Sequence, residues 1–217
     1  MTHQLKNRLR RYTDLPALMH LLDTQQITLL DPRTWLDKND ASFMSIYKKR
    51  KKLQTLLALC FTDSPETNHH WHVFASGAAG VCITFNKDKL IGEFEKVRDT
   101  CGKDCIRCHA VKYLRIDALR DTRPLVSDLP FLKRLPYEPE QEFRVIYECK
   151  NKEMEFWDVQ ISLSCIDSIA LSPQLHQSIR ASVIARLRAI PECPKRITRT
   201  TLQENNLWKR YGEEARD

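Results

Sequence analysis

Residues Tyr137 to Glu148 read YEPEQEFRVIYE. In a β-strand successive side chains point to opposite faces. Phe143, Val145 and Tyr147 then share an apolar face that faces a core, while Glu140, Glu142 and Arg144 share the other. Two like charges one strand repeat apart repel each other. A strand built only to hold a sheet together gains nothing from them. The plain structural alternative is a solvated strand start whose glutamates pair with Arg144 and nearby lysines.

The rest of the chain sets limits on that strand's surroundings. The chain has 217 residues, of which 42% are apolar and 29% charged, which fits a globular protein with a core. No apolar run is long enough to span a membrane. The opening MTHQLKNRLRRYTD has no apolar signal-peptide core, so a cytoplasmic location and no membrane partner are expected. There the eight cysteines would be mostly reduced thiols or metal ligands rather than disulfides. A net charge of +7 permits a polyanionic partner without requiring one.

Helices and strands are interleaved. DLPALMHLLDTQQ reads as a helix capped by Asp14, with Pro16 in its first turn and Leu15, Leu18, Leu21 and Leu22 as its stripe. ITLL is a short strand, and the second half of WLDKNDASFMSIYKKRKKL is helical. QTLLALCFTD is an apolar run expected as a buried central strand. HHWHVFA is a short helix, GVCITF a strand after the SGAAG turn, KDKLIGEFEKV an amphipathic helix and AVKYLRI a strand. EFRVIYE, EFWDVQI and IDSIALS are strands. SPQLHQSIRASVIARLRAI is a helix starting at Ser172, and KRITRTTL is a last strand. With no repeat and no linker, the sequence predicts one domain over 1–217. Its fold class is α+β, a mostly antiparallel sheet with flanking helices.

Three motifs carry chemistry of their own. KKRKK, Lys48 to Lys52, is either a solvated helix end or a contact for phosphates of a nucleic acid. CGKDCIRCH holds Cys101, Cys105, Cys108 and His109. Haem attachment would need an exported chain, and a radical iron–sulfur site a repeating barrel pattern. Zinc suits thiolates at short spacing in a turn, and a reduced loop is the plain alternative. His69, His70 and His72 lack the i, i+4 spacing of a helical metal pair. Trp71 and Phe74 share a helix face.

Taken in order, LRRYTDLPALMHLLDTQQITLLDPRTWLDKND, CFTDSPETNHHWHVFASGAAGVCITF and YEPEQEFRVIY resemble the bacterial DUF2971 family over nearly the whole chain. The sequence keeps Arg11-Tyr12, Asn39-Asp40, Trp71, Gly80-Val81 and Glu140-Gln141-Glu142-Phe143-Arg144. It departs at Arg10, Ala41 and Phe74, which stand where the family has tyrosine, proline and tyrosine. The layout is also similar to that of ADP-ribosyltransferases: an early basic strand, middle aromatics and a late Glu-x-Glu. That resemblance implies a split sheet and NAD as substrate. Arg11, Tyr12 and Thr13 would bind NAD, with Trp71 or Phe74 stacking on nicotinamide. Glu142 would stabilise the positive charge that builds on the ribose, and Glu140 would serve the acceptor. The acceptor would be a protein, a nucleic acid or water, and the use that of a toxin or a phage-defence effector. Two other classes stay open: a nuclease holding Mg²⁺ on Glu140, Glu142 and Asp40, and a non-catalytic nucleotide- or protein-binding module. As a carboxylate beside carboxylates, Glu142 is expected to add nothing to stability.

Overall fold

The computed structural model describes residues 7–75, 77–102 and 105–215. Ser76 of the SGAAG turn, and residues 103 and 104 in the cysteine segment, lie outside them. The chain opens with β1 (Arg8–Asp14), α1 (Leu15–Thr24), β2 (Gln26–Leu30) and α2 (Lys38–Arg50). Then come β3 (Thr55–Thr62), α3 (Asn68–Phe74), β4 (Gly80–Asn86) and α4 (Lys87–Cys101). The middle holds β5 (Ile106–Ala110), β6 (Lys112–Leu114), α5 (Ile116–Asp121), β7 (Leu132–Arg134) and β8 (Glu142–Cys149). The chain closes with β9 (Phe156–Gln160), β10 (Ile166–Leu171), α6 (Gln177–Arg188), β11 (Ile197–Arg199) and α7 (Asn206–Glu213).

These elements form an α+β fold around a nine-stranded sheet. Its pairings are antiparallel except for β10 with β11; β6 and β7 form a separate parallel pair. One edge of β3 is covered by β8 along its whole length, Thr55↔Cys149 to Thr62↔Glu142. The other edge is shared: β1 meets it at Thr62, and β2 at Ala58. The sheet therefore splits beside Cys60, midway between those two registers.

Both faces of β3 and β8 are buried, which is why TLLALCF reads as a continuous apolar run. Leu57, Leu59 and Phe61 face the main core with Phe143, Val145 and Tyr147, as alternation requires. Leu56, Ala58 and Ile146 face a second cluster with Met44 and Tyr47 of α2 and with Leu129 and Phe131. The charged face of β8 is thus not solvated; α2 and the segment before β7 lie over it.

Some local expectations needed correction. AVKYLRI is not one strand. The chain leaves β8 where Val111 N–H donates to the Glu142 carbonyl, and then runs beside β7. The helix predicted from Ser172 begins at Gln177, capped by His176. Ser172 instead closes a turn, its hydroxyl accepting from Gln174 N–H and its carbonyl from Leu175 N–H. Asp14 caps α1 as expected, accepting from Ala17 N–H at 2.9 Å. No helix among the described residues is long and apolar enough to cross a membrane.

Candidate active site

Leu135–Glu140 is a 3-10 turn rather than the front of a strand. Pro136 and Pro139 suit such a turn, and Gln141 leaves it in the left-handed region at φ 42°. Glu140 therefore sits on a corner and Glu142 on the first position of β8. The corner is fastened through the Glu140 carbonyl, which accepts from the Thr62 hydroxyl at 2.6 Å and from His70 Nε2 at 3.1 Å. A carbonyl has no proton to give, so His70 carries its proton on Nε2, and Nδ1 accepts from the Thr67 hydroxyl at 2.6 Å. Burial lowers the His70 pKa, which keeps this tautomer neutral.

The carboxylates of the corner belong to a buried charge cluster. Arg144 is fully buried, and all five of its N–H donors are used. They reach Glu142 at 2.7 and 2.8 Å, Asp40 at 3.0 and 2.8 Å, and the Pro130 carbonyl at 2.7 Å. The Trp35 ring covers the guanidinium at 4.6 Å. Lys133 Nζ lies 2.6 Å from Glu140, 3.3 Å from Glu142 and 3.7 Å from Asp40. Asp40 belongs to the first turn of α2, where the helix dipole favours an acid. Three carboxylates against two cations leave one uncompensated negative charge when all are ionised.

The two glutamates respond in opposite ways. Burial raises a carboxyl pKa, but at Glu142 the charges of Arg144 and Lys133 outweigh it and bring the value down to about 2. At Glu140 burial wins over Lys133, with Glu142 and Asp40 adding to the rise. Asp40 is also raised by burial, despite Arg144. Glu142 is thus held ionised, while Glu140 takes up a proton more readily.

The remaining sequence-predicted residues fall into two groups. Tyr12 stacks on His70 with ring centroids 5.3 Å apart and meets Trp71 edge-on at 5.3 Å. Trp71 is buried, its Nε1 donating to Glu66 at 2.7 Å. Phe74 is half-exposed and lies 5.8 Å from the His70 ring. His70 thereby links Tyr12, Trp71 and Phe74 to the Glu140 corner. Arg11 and Thr13 alternate to the other side of β1, with Leu9. The Arg11 guanidinium donates to the Cys60 carbonyl at 3.4 Å, at the split between β1 and β2. Burial and the nearby Glu142 charge raise the pKa of the Cys60 thiol, so Cys60 stands between Arg11 and the charge cluster.

Sequence reasoning missed Lys133 and Thr62, and met His70 only as a poor metal candidate and Arg10 only as a departure from the family pattern. Register puts Thr84, Arg10, Thr62 and Glu142 in one row across four strands, and Arg10 donates to the Ser64 carbonyl at 2.7 Å. Only Arg144 carried a signal, as a basic residue on the glutamates' face.

The zinc expectation is not supported. A disulfide joins Cys101 to Cys105, while the other six cysteines are free. Burial pushes the Cys108 thiol up to about 11, and His109 packs edge-on against Phe131 at 4.9 Å. Among the described residues no group of three or more His, Cys, Asp or Glu side chains is arranged to hold a metal ion.

No family model matches the chain, so the DUF2971 resemblance finds no support there, and no curated protein matches it. Among solved structures, the chain is similar to Thermus sp. 2.9 DarT in complex with ADP-ribosylated ssDNA, at a TM-score of 0.45 and 9% identity over 93% of this chain and 97% of that one. The complex of the same protein with carba-NAD+ gives 0.43 and 9% over 91% and 96%, and that with NAD+ gives 0.42 and 10% over 90% and 96%.

Proposed function

We propose that this protein is an NAD-dependent ADP-ribosyltransferase whose reacting centre is the Glu140–Glu142 corner. The observation that carries the reading is the buried cluster of Asp40, Glu140, Glu142, Lys133 and Arg144, whose three carboxylates outnumber its two cations by one when all are ionised. Breaking the nicotinamide–ribose bond sends the bonding pair to the ring nitrogen and leaves positive charge on the ribose. A fixed site short of one positive charge gains most when that charge appears. Glu142, held ionised by Arg144, would face the developing cation. Glu140, with its raised pKa, would take the proton of the incoming acceptor. Two carboxyls driven apart by their surroundings make a division of labour between charge stabiliser and base. Lys133 would hold both until the ribose arrives. The split sheet supports the same reading, since the resemblance to ADP-ribosyltransferases implies one. Toxin or phage-defence use would follow from that activity by analogy alone.

The alternative of an Mg²⁺-dependent nuclease would use Asp40, Glu140 and Glu142, which converge on Lys133 and, among the described residues, are not arranged to hold a metal ion. It would require the Lys133 ammonium to leave the point on which the three carboxylates close. One experiment separates them: incubation with labelled NAD and a cell extract, beside incubation with Mg²⁺ and labelled nucleic acid. The transferase reading expects nicotinamide release and label transfer, with Glu140→Gln lowering transfer more than NAD hydrolysis. Cleavage of nucleic acid with no NAD consumed supports the nuclease. Neither activity leaves a binding module.

A further inference from the structure

We infer that the end of α2 and the turn between β8 and β9 together form a docking surface for the phosphodiester backbone of a nucleic acid. Lys48, Lys49, Arg50, Lys51 and Lys52 run off the end of α2. In the sequence Lys150 and Lys152 lie about a hundred residues away, and the fold brings them alongside. Gln54 N–H donates to the Cys149 carbonyl at 2.9 Å, and the Thr55 hydroxyl donates to the Lys152 carbonyl at 2.6 Å. Met154 N–H returns a bond to the same hydroxyl at 2.8 Å. The turn is thus fastened beside the residues that follow Lys52.

Among the described residues, none of these seven cations has a carboxylate within ion-pair distance, and all but the part-buried Lys48 are exposed. Some other exposed cations have partners, such as Arg33 with Asp31, Lys96 with Glu93, Lys209 with Glu204 and Arg210 with Glu214, and others such as Lys112, Arg120 and Arg188 have none among the described residues; it is the density of unpaired cations that sets this surface apart. Seven unpaired cations on one surface repel one another in the free protein, and an external polyanion removes that cost. Glu153 and Glu155 follow Lys152 in the chain and bring acidic charge to that end of the patch.

The polymer's reach also fits. Asp40 stands in the charge cluster at the start of α2, and Arg50 ends the helix, ten residues or about 15 Å further along its axis. A flexible strand held at the basic end can reach the Glu140–Glu142 corner, a few nucleotides away. An anionic bilayer would need an apolar face to insert, and among the described residues the large apolar side chains exposed beside the run are few: Ile46 on α2 and the facing pair Leu30 and Phe156. The acceptor role of this polymer rests on the transferase reading; its binding does not.

The test is fluorescence anisotropy of labelled 20-mers of single-stranded DNA, RNA and duplex DNA in rising KCl, with vesicles of phosphatidylserine and phosphatidylcholine as a separate arm. The expected result is nucleic-acid binding whose log affinity falls linearly with log salt, by about 0.7 per phosphate neutralised on a single strand. Lys150→Ala/Lys152→Ala should reduce that slope by roughly 1.4, and Lys49→Ala/Arg50→Ala/Lys51→Ala by roughly 2. Lys96→Ala and Lys209→Ala, which remove paired cations elsewhere, should leave it unchanged. The single-strand and duplex arms decide which form is preferred. No binding at low salt, or binding indifferent to both sets of variants, overturns the inference. So does binding to vesicles but not to nucleic acid. Binding without NAD consumption would keep the surface and remove the transferase; transfer to a protein without nucleic-acid binding would do the reverse.

Discussion

The two faces of β8 are both buried, but different physics holds each. On one, Phe143, Val145 and Tyr147 join the main core, where stabilisation follows apolar area removed from water. On the other, Glu142 and Arg144 are removed from water as charges, which is unfavourable unless every donor and acceptor is matched. Arg144 meets that condition with five hydrogen bonds. Replacing such a cluster with apolar residues would stabilise a fold as well or better. Its presence on a central strand is therefore better explained by chemistry than by stability.

The largest expected effect tests the charged face. Arg144→Met leaves Asp40 and Glu142 buried without their main partner and should cost about 3–5 kcal/mol in urea unfolding. Phe143→Ala on the apolar face should cost about 3 kcal/mol through lost burial and the cavity left behind. pH separates the two. The Phe143→Ala deficit should be flat with pH, whereas the Arg144→Met deficit should shrink in acid as the unpaired carboxylates take up protons. A parallel pH response in both variants would erase the distinction between the faces.

A smaller effect concerns the wild type alone. Glu142 falls from an ordinary value of 4.5 to about 2 on folding, so its contribution is present above pH 4.5 and is lost as the pH drops towards 2. Glu140 and Asp40 are raised, so they cost stability at neutrality, and that cost is relieved as the pH falls towards their unfolded values. Stability should therefore rise as the pH falls from neutrality towards about 4.5, as the penalty of ionising Glu140 and Asp40 is relieved, and decline below it as Glu142 is protonated. Thermal melts across that range check this, and a decline that begins near neutrality would contradict the assignment. These terms also overturn the expectation that Glu142 adds nothing to stability, because repulsion between glutamates is outweighed by Arg144 and Lys133.

The smallest expected effect lies at the corner. His70→Leu removes one of two donors to the Glu140 carbonyl, and Thr62 keeps the other, so the loss should be about 1 kcal/mol from the hydrogen bond. If His70 positions Glu140, the variant's ¹³C carboxyl titration should also move the Glu140 midpoint. A lower melting temperature with an unmoved midpoint would make His70 an ordinary core residue.

Much of the fold was legible because period carries it. Alternation assigned both faces of β8, and Asp14 marked the start of α1. The corner was not legible, because Glu140 and Glu142 are two residues apart in a strand and equally so across a turn. Only the left-handed Gln141 separates the cases. Lys133 was invisible because its partners are set by the parallel pairing of β6 with β7, and no local pattern reports that. The cysteine spacing allowed zinc, but backbone geometry brought Cys101 and Cys105 together instead. The Lys150–Lys152 turn joined KKRKK only through the β3–β8 register.

The most direct test is nicotinamide release from NAD by wild type and Glu142→Gln, measured side by side where circular dichroism shows both folded. Removing a preorganised charge of this kind should slow release by on the order of 100- to 1,000-fold, with NAD binding largely kept. A wild type that releases nicotinamide while Glu142→Gln keeps full turnover would contradict the role given to Glu142, and a wild type that never consumes NAD would contradict the transferase itself.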